Sequence, residues 1–510
     1  MLAGLLLQRP INHDAGWYLY AAEAMLNGKR LYIDLIDVNP PMIFLLHMPP
    51  VIISDVCGYP VTTIFNCFFL GLLACSLLLC NYLLNQCLGT QAARPRRFII
   101  VALIFILMPF EMPWNCFGQR EHIMCILVLP YIFSTAAWLH GYRGKKPFLF
   151  LLGILAGIGF ALKPHFLIVY LVVEMYTAFA RDWKSVLKRP ESLGILLFQT
   201  IHWLYIIIAM PEYKEAVFMI MPAYESFTDP VAKRYLAAYA VLFGCAVLAW
   251  ASLFRCKHYK NIGSILFLTF SSFGILALIQ QKGWHYHLYP VSATAAILIT
   301  LGIVRYASLK RKNGLLRGIA ASALVLLFFL LTFFKMLPFA KSTNEITHPL
   351  AADLSSLIPV VRQHADHKFI YVFSSSVPPG FPLTNYTQTQ WASRFNCLWF
   401  LPAFYRDVPL DRRTQEPFPY TPVDTMSPTE RFFMQKLLSD IINKAPKIII
   451  VDKASTLQGF GKTTFKYIDY FSQDPRFVAF WKNYDFLCTI GTYDVYKKIA
   501  LISGSHTTKE

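Results

Sequence analysis

Side chains that could move a proton or bind an anion stand in a chain that is otherwise strongly apolar. Three aspartates, Asp14, Asp34 and Asp37, lie close to its start. A carboxylate can remove a proton from a hydroxyl group as a general base. Cationic side chains recur in three later segments, where they could stabilise an anion. These segments carry Arg120 and His122 with Glu121 between them, then Lys163 and His165, and finally Lys282, His285 and His287.

The composition indicates a membrane protein. Of the 510 residues, 56% are apolar, only 15% are charged and 42 are phenylalanine, which is too hydrophobic for a soluble fold of this length. Apolar runs long enough to cross a hydrocarbon layer about 30 Å thick recur along the first two thirds of the chain. The predicted spans are Val61–Asn85, Phe98–Trp114, Ile123–Leu139, Phe148–Leu162, Phe166–Ala180, Leu193–Met210, Leu236–Phe254, Ile262–Ile279, Leu288–Val304 and Ile319–Phe334.

The net charge of +18 is distributed over alternate loops instead of one patch. The basic loops are Arg94–Arg97, Arg143–Lys146, Arg181–Arg189, Arg255–Lys260 and Lys310–Arg317. Because lysine and arginine are retained on the cytoplasmic side of a membrane, we expect these loops to face the cytosol. This distribution argues against nucleic acid as a partner and for a lipid bilayer.

The intervening loops then face outward, and they hold the ionisable residues. They are Asn12–Pro41, Asn115–His122, Leu162–Phe166, Pro211–Tyr235 and Gln280–Pro290. Each of these loops, taken alone, could simply be a polar loop that caps the neighbouring helices. Ionisable groups gathered at one membrane surface are expensive and usually functional, so the set as a whole predicts a site on the external face.

The amino end is too short to cross a membrane alone. Met1–Leu7 precedes Gln8, and a helix rises only about 1.5 Å per residue. The orientation of the later loops requires a crossing before Asn12, so we expect the chain to begin inside its first transmembrane helix. A cleaved signal peptide is disfavoured because no basic region or small-residue cleavage site flanks the apolar run.

Asp14 stands at the start of a predicted amphipathic helix. Trp17, Tyr18 and later apolar residues recur at helical spacing, and Trp and Tyr favour the lipid headgroup level. A helix lying along the membrane interface is therefore expected. An alternative role for Asp14 is to cap that helix. Met42–Ile53, which follows two prolines, is too short to cross and predicts a second interfacial or re-entrant helix.

Several motifs resemble those of a known family. An Asp followed by "YLYAAEAMLNGKRLY" and "NPP" resembles the first external loop of GT-C glycosyltransferases, which include protein O-mannosyltransferases and lipid A aminoarabinose transferase. "GQREH" before "LVLPY", then "LKPHF" and "KGWHYHLYP", are similar to motifs of bacterial members that use polyprenyl-phosphate sugars. The resemblance extends over nearly the whole chain and depends on the order and spacing of these motifs together.

This resemblance implies a fold and a reaction. The fold is an α-helical polytopic membrane protein with about 11 transmembrane helices, the GT-C fold. Its catalytic domain is expected at 1–340 and an external, periplasmic α/β domain at 341–510. The reaction is transfer of a hexosyl or pentosyl group, with inversion, from a polyprenyl-phosphate donor. The acceptor is a cell-envelope lipid, glycan or protein on the external face of the inner (plasma) membrane.

The resemblance also implies roles for individual residues. The family's aspartate at the place of Asp14 is taken as the base. Asp34 and Asp37 are then helpers or merely solvated loop charges, and Glu121 is a further helper. Lipid A aminoarabinose transferase has a Lys just before the Pro pair, where this chain has Asn39, which shifts the expected phosphate contact to Lys282. The other expected phosphate-binding residues are His285, His287, Arg120, His122, Lys163 and His165.

Three alternatives stay open from the sequence. Lys282 could instead be a snorkelling anchor of its helix. His122, His285 and His287 could hold a divalent metal, but no carboxylate or cysteine spacing supports this, so no metal or other cofactor is expected. A transporter or flippase of a lipid-linked or envelope precursor would also bury ionisable residues, although it would favour broken helices and charges near the bilayer midplane.

The composition changes after Ala340. "KFIYVFSS" and "KIIIVDK" predict strands, and "SPTERFFMQKLLSDIINKA" predicts a helix, so the region from Lys341 reads as an α/β domain without a spanning run. The alternation of loops places this domain outside. Cys397 and Cys488 lie there, where oxidation is permitted, and their pairing stays open.

Overall fold

The chain divides into two compact units. The first, here called the membrane unit, consists of Met1–Glu23, Asn39–Tyr213 and Thr228–Glu345, and the second, the carboxyl-terminal unit, of Ala24–Val38, Lys214–Phe227 and Ile346–Glu510. The computed structural model describes residues 11–89, 93–107, 116–225, 232–282, 284–307 and 353–499. The stretch Met1–Leu7, the basic loop Lys310–Arg317, the predicted span Ile319–Phe334 and the side chain of His285 lie outside the described residues.

The described part of the membrane unit is built from helices. They are α1 His13–Leu26, α2 Met42–Cys57, α3 Val61–Leu88, α4 Ala93–Leu107, α5 Arg120–Leu139, α6 Lys146–Ala161, a 3-10 turn at Pro164–Phe166, α7 Leu167–Ala180, α8 Trp183–Leu187, α9 Pro190–Ala209, α10 Glu212–Glu225, α11 Ala232–Phe254, α12 Lys260–Gln280 and α13 His285–Ala307. The end of α1 and most of α10 belong to the carboxyl-terminal unit.

Five of the described helices are long and apolar enough to cross a membrane. They are Val61–Leu88, Arg120–Leu139, Pro190–Ala209, Lys260–Gln280 and, within α13, Tyr286–Arg305. At about 1.5 Å per residue, a 20-residue helix covers the hydrocarbon thickness. The prediction of a mostly helical chain with span-length apolar helices and a small carboxyl-terminal sheet is therefore confirmed.

Helix α5 lies at the centre of the membrane unit. Every residue from Arg120 to Leu139 is buried, and α3, α4, α6, α7, α12 and α13 all contact this helix. Small residues bring the surrounding helices close together: a Cβ on Gly153 of α6 would overlap the carbonyl group of Glu191 in α9. The polar side chains of α5 therefore face protein rather than lipid.

Helix α1 forms where it is predicted, but its aromatic residues have different surroundings. Trp17 and Tyr18 are 1% and 2% exposed, and Tyr18 packs edge-on against Phe44 and His47 of α2. Helical spacing predicts an amphipathic helix but does not distinguish rings that contact lipid headgroups from rings that pack against protein. The rings of Trp17 and Tyr18 are buried in protein.

A buried ionic network ties three helices together near the far end of α5. It consists of Arg189, Glu174, Glu191, Tyr131, Ser134 and Thr135, and is here called the Arg189 cluster. The guanidinium group lies 3.0 Å from Glu174 of α7 and 3.5 Å from Glu191 of α9. The sequence places Arg189 in a basic loop, yet its side chain is 1% exposed. It is therefore not part of a solvated basic face.

The carboxyl-terminal unit is a mixed sheet with helices around it. Its further elements are α14 at 353–365, β1 Phe369–Phe373, α15 Gly380–Thr387, β2 Gln390–Trp391, α16 Leu401–Phe404, α17 Leu410–Arg413, α18 Pro428–Lys444, β3 Ile448–Asp452, β4 Thr456–Leu457, β5 Gly461–Lys462, α19 Tyr467–Phe471, α20 Pro475–Trp481, β6 Tyr484–Ile490 and β7 Tyr493–Lys498. The main sheet has the order β2-β1-β3-β7-β6, parallel among β1, β2 and β3 and antiparallel beyond them.

The predicted elements of this unit are confirmed. β1 and β3 are the two apolar runs seen in the sequence, and they pair with each other in the buried centre of the sheet. α18 begins with Ser427, whose hydroxyl accepts from the backbone N–H of Glu430, and Pro428 occupies the first turn. A Ser cap followed by Pro is a favoured helix start.

Two short segments from the predicted 1–340 domain fold with the carboxyl-terminal unit. In the first segment, residues 24–38, the backbone N–H of Ile36 donates to the carbonyl of Arg394 at 2.8 Å. Arg394 in turn makes three hydrogen bonds to the carboxylate of Asp440, two from its guanidinium group and one from its backbone N–H. Cys397 and Cys488 of this unit are both free thiols.

Candidate functional site

Asp14 lies in the first turn of α1, and its carboxylate is held by a side chain from outside that helix. Asn12 Oδ1 accepts from the backbone N–H of Asp14 at 2.8 Å and of Ala15 at 3.4 Å, so Asn12 caps the helix. Gln119 Nε2 donates to Asp14 Oδ2 at 2.8 Å and to Asn12 Oδ1 at 2.9 Å. The Asp14 side chain keeps 18% exposure. With the cap supplied by Asn12, this carboxylate is left available for chemistry.

Glu121 forms the centre of a second buried group. The Lys163 ammonium donates to Glu121 Oε1, and His287 Nε2 lies 3.1 Å from Lys163 Nζ and 3.6 Å from Glu121 Oε1. Among the described residues, Glu121 Oε2 and His287 Nδ1 find no hydrogen-bond partner although both are buried. The carboxylate and the imidazole therefore each keep one polar atom without a partner in the described part of the chain.

Arg120 and Lys282 add positive charge to this group, which we call the Glu121 cluster: Arg120, Glu121, Lys163, Lys282 and His287. Arg120 and Lys282 are each 7% exposed. Arg120, Lys163 and Lys282 all act electrostatically on His287, and Asp14 acts on both Arg120 and Lys163. Arg120 and Lys163 thus act on the carboxylates of Glu121 and Asp14, and Lys282 adds a third buried cation that acts on His287. A buried excess of positive charge is costly unless an anion offsets it.

Lys163 lies in the loop between α6 and the 3-10 turn, and its charge is weakened by its surroundings. Burial lowers the pKa of Lys163 to about 8, while the neighbouring Glu121 carboxylate limits the fall. Desolvation disfavours the ammonium form, and a negative neighbour favours it. Lys163 is therefore largely charged at neutral pH but loses its proton more readily than an exposed lysine.

The remaining histidines of the predicted site have other contacts. His122 Nδ1 accepts from the backbone N–H of Gly118, so its Nε2 carries the proton that is donated to the carbonyl of Leu107 at 2.7 Å. A phosphate contact from His122 would break one of these bonds. His165 Nε2 lies 2.9 Å from Gln280 Nε2. His285 begins α13, and its side chain lies outside the described residues.

Asp34 and Asp37 belong to the carboxyl-terminal unit and not to the membrane unit. Asp34 Oδ2 accepts from the backbone N–H of Arg30 at 2.8 Å, which closes a local turn. Asp37 is buried, with 6% exposure. Their part as helpers stays a prediction.

Gln119 is the residue that the sequence prediction left out of the site. It is uncharged and precedes the cationic "REH" within a quoted motif, so charge patterning gives no reason to select it. Its place at the start of α5, opposite the start of α1, is visible only in three dimensions. No group of three or more His, Cys, Asp or Glu side chains within the described ranges is gathered as a metal site requires.

Searches against models of known protein families and against curated proteins find no match to this chain. The resemblance to GT-C glycosyltransferases therefore depends on the motifs alone. What the site does has to be argued from its own geometry and charge.

Proposed function

We propose that the chain is a membrane glycosyltransferase of the GT-C type, with about 11 transmembrane helices. It transfers a hexosyl or pentosyl group from a polyprenyl-phosphate donor to an envelope acceptor at the external face of the inner membrane, where the carboxyl-terminal unit also lies. One observation carries the proposal: a partly exposed carboxylate, Asp14, is held beside a buried cluster with more cations than carboxylates.

This pairing matches the two requirements of sugar transfer from a lipid phosphate. Asp14 takes the proton of the acceptor hydroxyl as its oxygen attacks the anomeric carbon from the side opposite the phosphate. The new carbon–oxygen bond forms while the bond to the phosphate oxygen breaks, and the electron pair leaves with polyprenyl phosphate. The anomeric configuration is inverted in this single displacement.

The Glu121 cluster supplies the second requirement, a place for the departing phosphate. Lys163, Arg120 and Lys282 provide fixed positive charge where negative charge develops. Such contacts are strengthened in a buried, partly dehydrated site. Glu121 holds the Lys163 ammonium in position by a direct hydrogen bond, so its role in the proposal is to orient a cation rather than to take a proton.

Replacing Asp14 tests the proposal most directly. Asp14→Asn keeps the shape of the side chain but cannot accept the acceptor's proton, and loss of a general base costs on the order of 10²- to 10⁴-fold in rate. Purified protein in nanodiscs would be supplied with a panel of polyprenyl-phosphate hexoses and pentoses and an envelope extract, and glycosylated product would be measured by mass spectrometry. Asp55→Asn, at an exposed position of α2, is the matched control and should transfer normally.

Two outcomes would overturn the proposal in different ways. Near-native transfer by Asp14→Asn would remove Asp14 as the base. Movement of lipid-linked sugar across the bilayer without any glycosylated product, in wild type and Asp14→Asn alike, would establish the transporter alternative instead.

A further inference from the structure

Both N–H groups of the Gln119 amide donate hydrogen bonds, one to Asn12 and one to Asp14. Asn12 Oδ1 accepts from two backbone N–H groups of α1, which identifies this atom as the amide oxygen. The atom of Gln119 that lies 2.9 Å from it must then be a donor, the NH₂ nitrogen. The second N–H of the same nitrogen donates to Asp14 Oδ2 at 2.8 Å. The orientation of the amide is thus fixed by its neighbours.

The other end of the same side chain is left without a partner. Gln119 is 1% exposed, and its Oε1 is buried with no hydrogen-bond partner among the described residues. An unsatisfied buried acceptor lowers stability. Packing alone does not call for a glutamine here, since an apolar side chain of the same size would leave no orphan acceptor; what the glutamine adds is its two donor contacts.

We propose that Gln119 is a positioning residue for Asp14, an inference that rests on the proposed function. Its amide fixes the position of Oδ2 through the 2.8 Å hydrogen bond. Oδ1, which lies 3.6 Å from His13 Nε2, is then the oxygen turned to the acceptor hydroxyl. Gln119 itself touches neither substrate nor the reacting atoms.

The chain offers a matched control in Gln199 of α9. Gln199 is also buried, donates through Nε2 to one oxygen, the carbonyl of Gly157 at 2.7 Å, and also leaves Oε1 without a partner in the described structure. The two glutamines differ in what they hold: a carboxylate in one case and a backbone carbonyl in the other. Gln119→Leu and Gln199→Leu therefore make equivalent changes in packing.

The test compares Gln119→Leu, Gln199→Leu, Asp14→Asn and wild type in nanodiscs. Misplacing a reacting group by about 1 Å costs on the order of 10²-fold, so kcat of Gln119→Leu should fall 10- to 100-fold while KM for the lipid donor stays constant. Gln199→Leu should match wild type in both. Gln119→Met replaces the leucine variant if the latter does not fold.

A second measurement decides the inference without activity. Carbodiimide labelling of Asp14 at one fixed pH, followed by peptide mass spectrometry, reports how readily this carboxyl group reacts, and the Asp14→Asn protein verifies the peptide. Labelling of Asp14 should be faster in Gln119→Leu, where no amide holds Oδ2, than in wild type or Gln199→Leu. Equal labelling in all three proteins would overturn the positioning role. If wild type transfers no sugar, the proposed function fails while the labelling still decides the role of Gln119.

Discussion

The membrane unit contains two buried ionic clusters that share helix α5, and they differ in charge balance. The Glu121 cluster lies at the start of α5, and the Arg189 cluster draws on Tyr131, Ser134 and Thr135 in its second half. The Glu121 cluster has three cations: Arg120 and Lys163 act on the carboxylates of Glu121 and Asp14, and Lys282 acts on His287. In the Arg189 cluster, two carboxylates surround one guanidinium group.

The difference separates a site that can receive an anion from one that cannot. An anion added to the Arg189 cluster would meet two carboxylates that already outnumber the guanidinium. The hydroxyl groups of Tyr131 and Ser134 donate hydrogen bonds to those carboxylates, and the hydroxyl group of Thr135 accepts one from Arg189. Burial of ionisable groups alone is therefore a poor marker of a ligand site, and the sign of the local excess charge is a better one.

The largest effect that distinguishes the clusters is expected from Arg189→Met. This change leaves Glu174 and Glu191 buried without a counter-charge, and breaking a buried ion pair typically costs about 3–5 kcal/mol. Thermal unfolding in detergent should show a marked loss, while the folded fraction binds polyprenyl phosphate as wild type does. Lys188→Met, at an exposed neighbouring position, should leave both properties unchanged. Loss of lipid-phosphate binding by folded Arg189→Met would contradict the division of roles.

An intermediate effect is expected from Lys282. Replacing this ammonium by a neutral amide in Lys282→Gln should weaken polyprenyl phosphate binding roughly 10-fold, because a hydrogen bond to a charged group contributes about 1.5–3 kcal/mol. Lys282→Arg keeps the charge and should retain part of the affinity. Lys260→Gln, at the opposite end of α12, is the control. Unchanged affinity in Lys282→Gln would leave the snorkelling anchor as the better account of this residue.

The smallest effect is a pH dependence that comes from Lys163. Since burial lowers its pKa to about 8, the side chain is charged below that pH and neutral above it. An anion binds the charged form, so polyprenyl phosphate affinity should be constant up to about pH 7 and fall a few-fold by pH 9. Arginine stays protonated throughout this range, and Lys163→Arg should therefore remove the dependence. The same slope in both proteins would assign the titration to another group.

Much of the fold follows from local patterns in the sequence. Apolar runs predicted the span-length helices, and β1, β3 and α18 were predicted from their own residues. Grouping the outward loops brought Glu121, Lys163 and His287 into one prediction, and these three are in contact. Such patterns succeed because they depend on neighbours in sequence or on the alternation of loops.

The rest depends on packing between distant segments. Arg189 reads as one of several loop cations, and only contacts with α5, α7 and α9 reveal that it is buried. The backbone contacts of both ring nitrogens of His122 are likewise visible only in the structure, and its predicted phosphate contact stays a prediction. Residues 24–38 read as part of the membrane domain, because nothing local indicates the hydrogen bond between Ile36 and Arg394.

The complete burial of α5 has a consequence for biogenesis. Its first turn carries Arg120, Glu121 and His122, and the ribosome delivers it before its partners: Lys163 follows Glu121 by 42 residues and His287 follows Lys163 by another 124. At about 5–20 residues per second, those partners emerge over roughly 10 to 30 s. Until then the ionisable end of α5 faces lipid or the insertion machinery at a cost. The ionisable first turn of α5 therefore gains its final partners only late in synthesis, once α13 has been made.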